Sequence, residues 1–384
     1  MSTLNSVSSI NVSNVFVSLE EAATAIMVYG QSITPVLVSE PGVGKSSMLA
    51  AIAAKNGDKW RKRGDYFPED KYCYIYIDWS QTDLADLFMS GPDKETGKLK
   101  RYMTELLMTD DPRPHIVMID EYTKPMSKLM EAASAAFVLD KTLPGWTAPA
   151  GSIFFATSNN ASDGVGDKIM AHCGNRVTFF YVLKPDNRAW ARWAMNNGIS
   201  QTLVGWSIVN PDKFESYKTC SEESLRNNAS IFIPGKSGAT FGSPRSYAKC
   251  DVIIKNMHIC GEHLTHAALA GTVGMAAAES MMAFIALGKE LPTFEEIKQD
   301  PNGTRVPNKF AAQIVSITKT MLGNIKTQDD LSACAAYVSR FESNEAIALF
   351  HCLLSKTPDL QKLASQNAQH NQWMMTNKNY ELLK

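Results

Sequence analysis

The strongest pattern in the sequence is Val36-Leu37-Val38-Ser39-Glu40-Pro41-Gly42-Val43-Gly44-Lys45-Ser46-Ser47. An apolar, β-branched stretch comes first, followed by a turn with two glycines and then by a Lys-Ser pair that precedes good helix formers. The glycines let successive backbone N–H groups point at one place, and the start of the following helix adds its positive dipole. This layout predicts a phosphate-binding loop and therefore a bound nucleoside triphosphate.

The positions of this loop have expected roles. Lys45 is expected to reach the β- and γ-phosphates, and Ser46 is expected to hold Mg²⁺. The residues expected to bind the nucleotide are Glu40, Pro41, Gly42, Val43, Gly44, Lys45, Ser46 and Ser47. Ser39 stands where the strict pattern has its first glycine, so the prediction depends on the flanking strand and helix. An ordinary glycine-rich turn before a helix is the alternative.

The composition is that of a globular chain. Its 384 residues are long enough for two or three domains, and hydrophobic residues make up 45%. The net charge of -1 gives no general basic field that would attract nucleic acid or an anionic membrane. Seven cysteines without a C-x-x-C pair favour reduced thiols and a cytoplasmic protein. We expect no secretory signal, and glycines and polar residues interrupt the most apolar stretch, 264–287, so we expect no membrane span.

Strand and helix patterns alternate in the first part of the chain. We expect a helix at Leu19–Tyr29 and, besides the strand before the phosphate loop, further strands at 72–77, 115–119, 152–157 and 177–182. Apolar strands that alternate with helices predict a parallel sheet, whose ligands bind at the carboxyl ends of the strands. Helical patterns dominate after residue 228. We therefore predict a flexible segment at 1–17, an α/β domain at 18–228, a helical domain at 229–305 and a helical extension at 306–384.

Polar side chains end two of the predicted strands. Asp120 and Glu121 form a carboxylate pair, in which Asp120 is expected to orient Mg²⁺ through its water shell and Glu121 to orient or deprotonate the attacking water. Asn159 follows the next strand, where an amide can bind that water or the γ-phosphate without adding charge. The alternative for Asp120 and Glu121 is a strand that ends next to the polar start of a helix, without a role in catalysis. The alternative for Asn159 is a simple turn.

The order of these motifs resembles the AAA+ ATPases, in particular the MoxR-like branch, over about residues 18 to 300. The matching segments are 39–46, Ile119-Asp120-Glu121, Ala156-Thr157-Ser158-Asn159, Gly174-Asn175-Arg176-Val177 and Gly242-Ser243-Pro244-Arg245-Ser246. The resemblance implies an α/β P-loop NTPase fold: a parallel sheet with helices on both faces, followed by an all-α lid and a C-terminal helical region.

The resemblance also implies roles for single residues. Asn159 is then the sensor 1 residue, and Arg176 is the arginine finger that enters the site of a neighbouring subunit. Arg245, in the first turn of a helix, is the sensor 2 arginine; a surface arginine is the alternative. The family's usual Asp-Arg-Phe is Asn-Arg-Val at Arg176, so Arg188 and Arg192 are rivals for the finger.

The activity implied by the resemblance is hydrolysis of ATP with Mg²⁺ in a homo-oligomeric ring, a hexamer, which remodels a protein partner as a chaperone does. Such a partner in this family is a von Willebrand factor A domain protein. One alternative is a nucleic-acid motor or loader, favoured by the basic run at 59–63, although nucleic acid is not the preferred partner. A second alternative is a scaffold ring with little turnover.

Other segments carry weaker patterns. By resemblance, segments 81–99 and 141–151 face a central pore. The alternative for the first segment is a solvated turn. The alternative for the second is that Trp146 packs on its own domain. His258, Cys260, His263 and His266 lie close together in the sequence and include metal-competent side chains. We do not predict a metal site there, because their spacing matches no known site and Gly261 is expected to separate two helices. The tail at 359–384 contains possible docking residues for a partner or subunit.

Overall fold

The computed structural model describes residues 15–58, 70–108, 110–160, 175–235 and 240–378. The chain divides into two compact units, Met1–Leu183 and Lys184–Lys384. The predicted boundary near residue 228 therefore falls inside the second unit. A single hydrophobic core in that unit contains residues of both predicted helical regions, such as Met281 and Leu349.

A parallel six-stranded sheet forms the first unit, in the order β1-β10-β2-β9-β6-β3. Its strands are β1 Phe16–Val17, β2 Thr34–Ser39, β3 Cys73–Asp78, β6 His115–Asp120, β9 Ile153–Asn159 and β10 Val177–Val182. Two antiparallel hairpins accompany it, β4 Phe88–Pro92 with β5 Leu99–Met103, and β7 Thr142–Leu143 with β8 Trp146–Thr147. The described helices of this unit are α1 Leu19–Tyr29, α2 Met48–Asn56, α3 Leu84–Leu87 and α4 Lys128–Asp140.

Both faces of the sheet are buried. Successive residues of a strand point to opposite faces, and in β2 the side chains of Val36 and Val38 pack in one core cluster with Phe137 of α4. Leu37 packs in another cluster with Ile26 of α1 and Leu49 of α2. Helices therefore cover both sides, and the predicted α/β architecture, a parallel sheet with helices on both faces followed by a helical region, is confirmed.

Three local differences separate the prediction from the structure. Phe16 and Val17 do not belong to a flexible segment, because they pair with Tyr181 and Val182 of β10 as a short edge strand; residues 1–14 lie outside the described ranges. The fourth predicted strand runs on through Asn159. The helix after the phosphate loop begins with a 3₁₀ turn, Lys45–Ser47, before α2.

The described part of the second unit is helical. Its helices are α5 Asn187–Asn196, α6 Gln201–Val209, α7 Glu222–Asn227, α8 Pro244–Lys255, α9 Met257–Val273, α10 Met275–Ala286, α11 Phe294–Gln299, α12 Phe310–Val315, α13 Gln328–Val338, α14 Asn344–Lys356, α15 Pro358–Gln366 and α16 Ala368–Thr376. Short turns of 3₁₀ helix lie at Pro211–Phe214 and Leu287–Glu290, and a π-helical segment, Ser316–Met321, continues α12. Gly261, at φ 74°, interrupts α9 as the sequence predicts.

Aromatic side chains fill the core of this unit. Tyr247 is fully buried and lies 4.7 Å from Phe214 and 5.2 Å from Trp206 between ring centroids. The Trp190 indole donates a hydrogen bond to the carbonyl of Pro244 at 3.2 Å, so its polar atom is satisfied within the core. None of the described helices combines the length and the apolar character needed to cross a membrane.

Two glycines in helices of this unit give opposite predictions. A Cβ on Gly205 of α6 would lie 2.8 Å from Ile314, 3.0 Å from Thr318 and 3.2 Å from Phe284, whereas a Cβ on Gly271 of α9 would meet nothing within 4 Å. Gly205→Ala should lower the free energy of unfolding by about 1–3 kcal/mol through overpacking. Gly271→Ala should raise it by about 0.5–1 kcal/mol, because alanine favours the helix.

Urea unfolding of the two variants and the wild type measures both changes. Gly271→Ala is the matched control, since it makes the same chemical change in a helix without the contacts. A Gly205→Ala protein as stable as Gly271→Ala would contradict the close packing around α6.

Candidate nucleotide-binding site

The phosphate loop joins β2 to α2 at the carboxyl edge of the sheet. Gly42 and Gly44 have φ values of 75° and 118°, a region that residues with a side chain rarely adopt, so this loop shape requires glycine at both positions. The loop is anchored by Val43, which is buried in the core cluster that holds α1 and α2. Glu40 is buried, Pro41 and Ser46 are partly buried, and Ser47 is exposed.

The ammonium group of Lys45 is surrounded by oxygen atoms. Its Nζ lies 2.8 Å from Ser39 Oγ, 3.1 Å from the carbonyl of Glu40, 3.1 Å from Asn159 Oδ1 and 3.3 Å from the carbonyl of Ser39. The side chain is buried, with 7% of its surface exposed. Buried charges need such partners. Ser39, which stands in place of the usual glycine, therefore supplies an additional acceptor that the sequence pattern did not reveal.

Asn159 links the phosphate loop to the carboxylate pair. It is paired with Ser39 across β2 and β9, and while its Oδ1 accepts from Lys45, its Nδ2 donates to Glu121 Oε1 at 3.0 Å and to Oε2 at 3.3 Å. Lys124 Nζ lies 3.6 Å from Glu121 Oε2. The structure thus brings together three predicted site residues, Lys45, Asn159 and Glu121, in one hydrogen-bonded chain.

The backbone at Glu121 has an unusual conformation. Its φ is 51°, in the left-handed region that a residue with a side chain seldom occupies. The turn is held by hydrogen bonds from Tyr122 N to the Thr157 carbonyl and from Lys124 N to the Glu121 carbonyl, at 2.9 and 2.8 Å. Such conformations persist where the surroundings impose them, and they cluster at functional sites.

Asp120 is buried and accepts hydrogen bonds on both carboxylate oxygens. Tyr76 Oη donates to Oδ2 at 3.0 Å, Thr157 Oγ1 donates to Oδ1, and the Glu121 backbone N–H donates to Oδ1 at 3.2 Å. Burial, together with the nearby Asp120 charge, raises the pKa of Tyr76, so the phenol stays protonated and can donate. Sequence reasoning missed Tyr76 and Thr157, because only the register of three strands brings them to Asp120.

The donor groups at this edge suit magnesium. Mg²⁺ prefers hard oxygen ligands such as carboxylate and hydroxyl groups, which Asp120 and Ser46 supply. The ammonium of Lys45 lies at the same edge of the sheet as the glycine-rich loop, and a loop of this shape can bind a phosphate through its backbone N–H groups. Within the described ranges, no group of three or more His, Cys, Asp or Glu side chains is placed to hold a metal by itself. The residues therefore fit a metal that is bound together with a phosphate ligand.

Arg176 lies at the opposite edge of the sheet. It directly precedes β10, whose first residue, Val177, is paired with Thr34 at the start of β2. The phosphate loop follows Ser39 at the other end of β2. Five residues of parallel strand span roughly 16 Å. The structure therefore does not bring Arg176 to the phosphate loop of its own chain.

The other predicted arginines belong to the second unit. Arg245 occupies the first turn of α8, which begins at a capping box formed by Ser243 and Ser246, and it is exposed. Arg188 of α5 forms an ion pair with Glu345 at 3.0 Å, and Arg192 follows on the same helix. The sensor 2 role of Arg245 remains a prediction.

The two candidate pore segments differ from each other. The β4–β5 hairpin is exposed, with Met89 64% and Leu99 77% accessible. Trp146 of the β7–β8 hairpin is instead buried and stacks on His115 with ring centroids 6.0 Å apart, so it packs on its own unit. The basic run at 59–63 and Gly174 lie outside the described residues.

Comparison with known proteins adds a low structural similarity. No protein-family model and no curated protein matches the sequence. The RuvB Holliday junction branch migration motor of Thermotoga maritima is 14% identical with a TM-score of 0.34, over 79% of this chain and 82% of that one. A mutant of that RuvB is 13% identical with a TM-score of 0.33, over 79% of this chain and 83% of that one. A candidate ATPase of Cytophaga hutchinsonii is 12% identical with a TM-score of 0.30, over 67% of this chain and 82% of that one. At these values the similarities carry no argument about the site, which rests on its own geometry.

The contact between Ser39 and Lys45 leads to a prediction. An ammonium group has three protons, yet Lys45 has four oxygens within 3.3 Å, and a phosphate must compete with them. Ser39→Ala removes the nearest acceptor. We expect this variant to bind ATP about 5-fold more tightly, which corresponds to one ordinary hydrogen bond. Calorimetric titration with ATP measures the change.

Ser158→Ala is the matched control for this prediction. Ser158 is a buried serine of the adjacent strand, and its hydroxyl contacts Thr123 at 2.7 Å and the Asn159 carbonyl at 2.9 Å. Its loss should change ATP affinity less than 2-fold, since the two contacts that are removed are neutral and neither involves Lys45. Weaker ATP binding by Ser39→Ala would mean that the serine positions Lys45 for the nucleotide instead of competing with it.

Proposed function

We propose that this chain is an AAA+ ATPase that binds Mg-ATP at the carboxyl edge of its sheet and hydrolyses it with help from a neighbouring subunit of a ring. The observation that carries the proposal is the hydrogen-bonded chain from Lys45 through Asn159 to Glu121. It links the residue expected to contact the phosphates with the residue expected to activate water. Neither a simple turn nor a structural ion pair requires this arrangement.

The residues of the site divide the reaction between them. Lys45 gives up part of its oxygen shell and binds the β- and γ-phosphates. Asn159 orients the attacking water, and Glu121 accepts a proton from it as the water oxygen bonds to the γ-phosphorus and the bond to the bridging oxygen of ADP breaks. Ser46 would hold Mg²⁺ and Asp120 would orient it through its water shell, and the metal would neutralise charge on the phosphates.

Arg176 completes the site in another subunit under this proposal. Its place at the amino edge excludes contact with its own loop, and an arginine supplied from a neighbour stabilises charge that develops on the γ-phosphoryl group. A homo-oligomeric ring, by resemblance a hexamer, brings the two edges together. The MoxR-like assignment adds remodelling of a protein partner, with a von Willebrand factor A domain protein as the candidate. The exposed β4–β5 hairpin is where we expect that partner to bind.

Replacement of Glu121 tests the catalytic assignment. Glu121→Gln keeps the shape and the contact with Asn159 but cannot accept a proton. We expect turnover to fall about 10²- to 10⁴-fold, the usual contribution of a general base, with ATP affinity unchanged. The rate of phosphate release measures turnover, and calorimetric titration with ATP measures the affinity.

Glu105→Gln, at an exposed glutamate in a 3₁₀ turn of the same unit, is the control and should keep wild-type turnover. Wild-type turnover in Glu121→Gln would exclude the proposed role of Glu121. The same variant also tests the partner. A remodelled protein should co-purify with Glu121→Gln in the presence of ATP but not with Lys45→Ala.

Mixed oligomers test the role of Arg176. Arg176→Ala alone should lose turnover about 10³-fold or more, as arginine fingers do. Lys45→Ala subunits lack a working loop but retain Arg176, so mixing them with Arg176→Ala subunits should restore part of the activity at interfaces that combine the intact halves. The measurement is turnover as a function of the mixing ratio.

Absence of any recovery on mixing would show that Arg176 does not act between subunits. Arg188→Ala and Arg192→Ala serve as comparisons. If one of these variants loses turnover and regains it on mixing with Lys45→Ala subunits, while Arg176→Ala does not regain it, that arginine would be the finger instead of Arg176.

A further inference from the structure

Tyr76 has a contact that no sequence motif assigns. Tyr76 lies on β3, which pairs with β6 so that Tyr76 is opposite Met118 and Asp78 is opposite Asp120. The phenol of Tyr76 reaches diagonally across the two strands, and its Oη lies 3.0 Å from Asp120 Oδ2. The ring itself packs with the core cluster that holds α1 and α2.

The direction of this hydrogen bond is fixed by chemistry. A carboxylate only accepts hydrogen bonds, so the phenol must donate. A tyrosine phenol has an ordinary pKa of about 10, so it is protonated at neutral pH. Tyr76 is therefore a permanent neutral donor to the carboxylate.

The contact limits what Asp120 can do with its remaining lone pairs. A carboxylate offers about four acceptor positions. The Thr157 hydroxyl and the Glu121 backbone N–H occupy Oδ1, and the Tyr76 hydroxyl occupies one position on Oδ2. The three donors come from three different strand ends and together fix the plane of the carboxylate. Among the described residues, no further donor occupies the second acceptor position of Oδ2, where the water shell of a metal could bind.

We propose that Tyr76 is a positioning residue that orients the Asp120 carboxylate for Mg²⁺ and thereby sets how strongly Mg²⁺ strengthens nucleotide binding. This inference rests on the proposed function and assigns to it a residue of β3. Residues that orient metal ligands change metal affinity by about 10- to 100-fold when they are replaced. The Tyr76 hydroxyl is one of three donors to Asp120, so we expect a change in Mg²⁺ affinity of about 10-fold, the lower end of that range.

The chain offers a matched control two residues away. Tyr74 lies on the same strand and the same face, and its hydroxyl donates to Asp58 Oδ2 at 2.7 Å and accepts from Asn56 Nδ2 at 3.1 Å. Tyr74→Phe and Tyr76→Phe thus make the same chemical change to neighbouring half-buried tyrosines of β3. Only the second removes a donor from Asp120.

The experiment is titration of the full chain with ATP by calorimetry, in EDTA and at a series of Mg²⁺ concentrations. For Tyr76→Phe we expect unchanged affinity for ATP in EDTA and a midpoint for Mg²⁺ that is about 10-fold higher than in the wild type. Tyr74→Phe should keep the wild-type midpoint. Thermal unfolding confirms that both variants are folded before the titrations are compared.

Two results would overturn the inference while leaving the proposed function intact. The first is an equal Mg²⁺ midpoint in Tyr76→Phe and Tyr74→Phe. The second is an equal loss of ATP affinity in EDTA and in Mg²⁺, because that is the signature of general damage to the site. A wild-type chain that binds ATP equally with and without Mg²⁺ would overturn the proposed function itself, and the inference with it.

Discussion

The buried ammonium of Lys45 is the constraint on which the site depends. A buried charge is tolerated only with close polar partners, and these come from separate parts of the chain. Ser39 and Glu40 supply oxygens from the end of β2 and the start of the loop, and Asn159 supplies one from the end of β9. This works only because β2 and β9 are adjacent in the sheet. The strand order is thus tied to the solvation of a single cation.

Neutral polar groups contact both charged side chains of the site. Carbonyl, hydroxyl and amide oxygens solvate the positive charge of Lys45. Asp120 accepts from two hydroxyl groups and a backbone N–H, so its negative charge is likewise held by neutral donors. Full charge on both groups is what binding of phosphate and of a divalent cation requires.

Local patterns predicted much of the fold and part of the site. The helix Leu19–Tyr29, the glycine loop and the strand Val177–Val182 follow from apolar spacing and turn residues, which act over a few positions. The contacts of Tyr76 and Thr157 with Asp120 depend on strand register, and the sequence of a single strand does not contain its partner's register. The predicted boundary near residue 228 follows from local helical patterns, and such patterns do not show that helices on both sides of this residue share one core.

The geometry of a parallel sheet also explains why, under the proposed function, a neighbouring subunit supplies the arginine of the site. All strands of such a sheet end at the same edge, and a phosphate loop collects the polar residues of that edge only. Lys45, Asn159, Asp120 and Glu121 are gathered there, whereas Arg176 precedes a strand and lies roughly 16 Å away at the amino edge. No change of side-chain rotamer can move a residue from one edge to the other. Under the proposed function, Arg176 therefore reaches a nucleotide only where the amino edge of one subunit faces the carboxyl edge of the next.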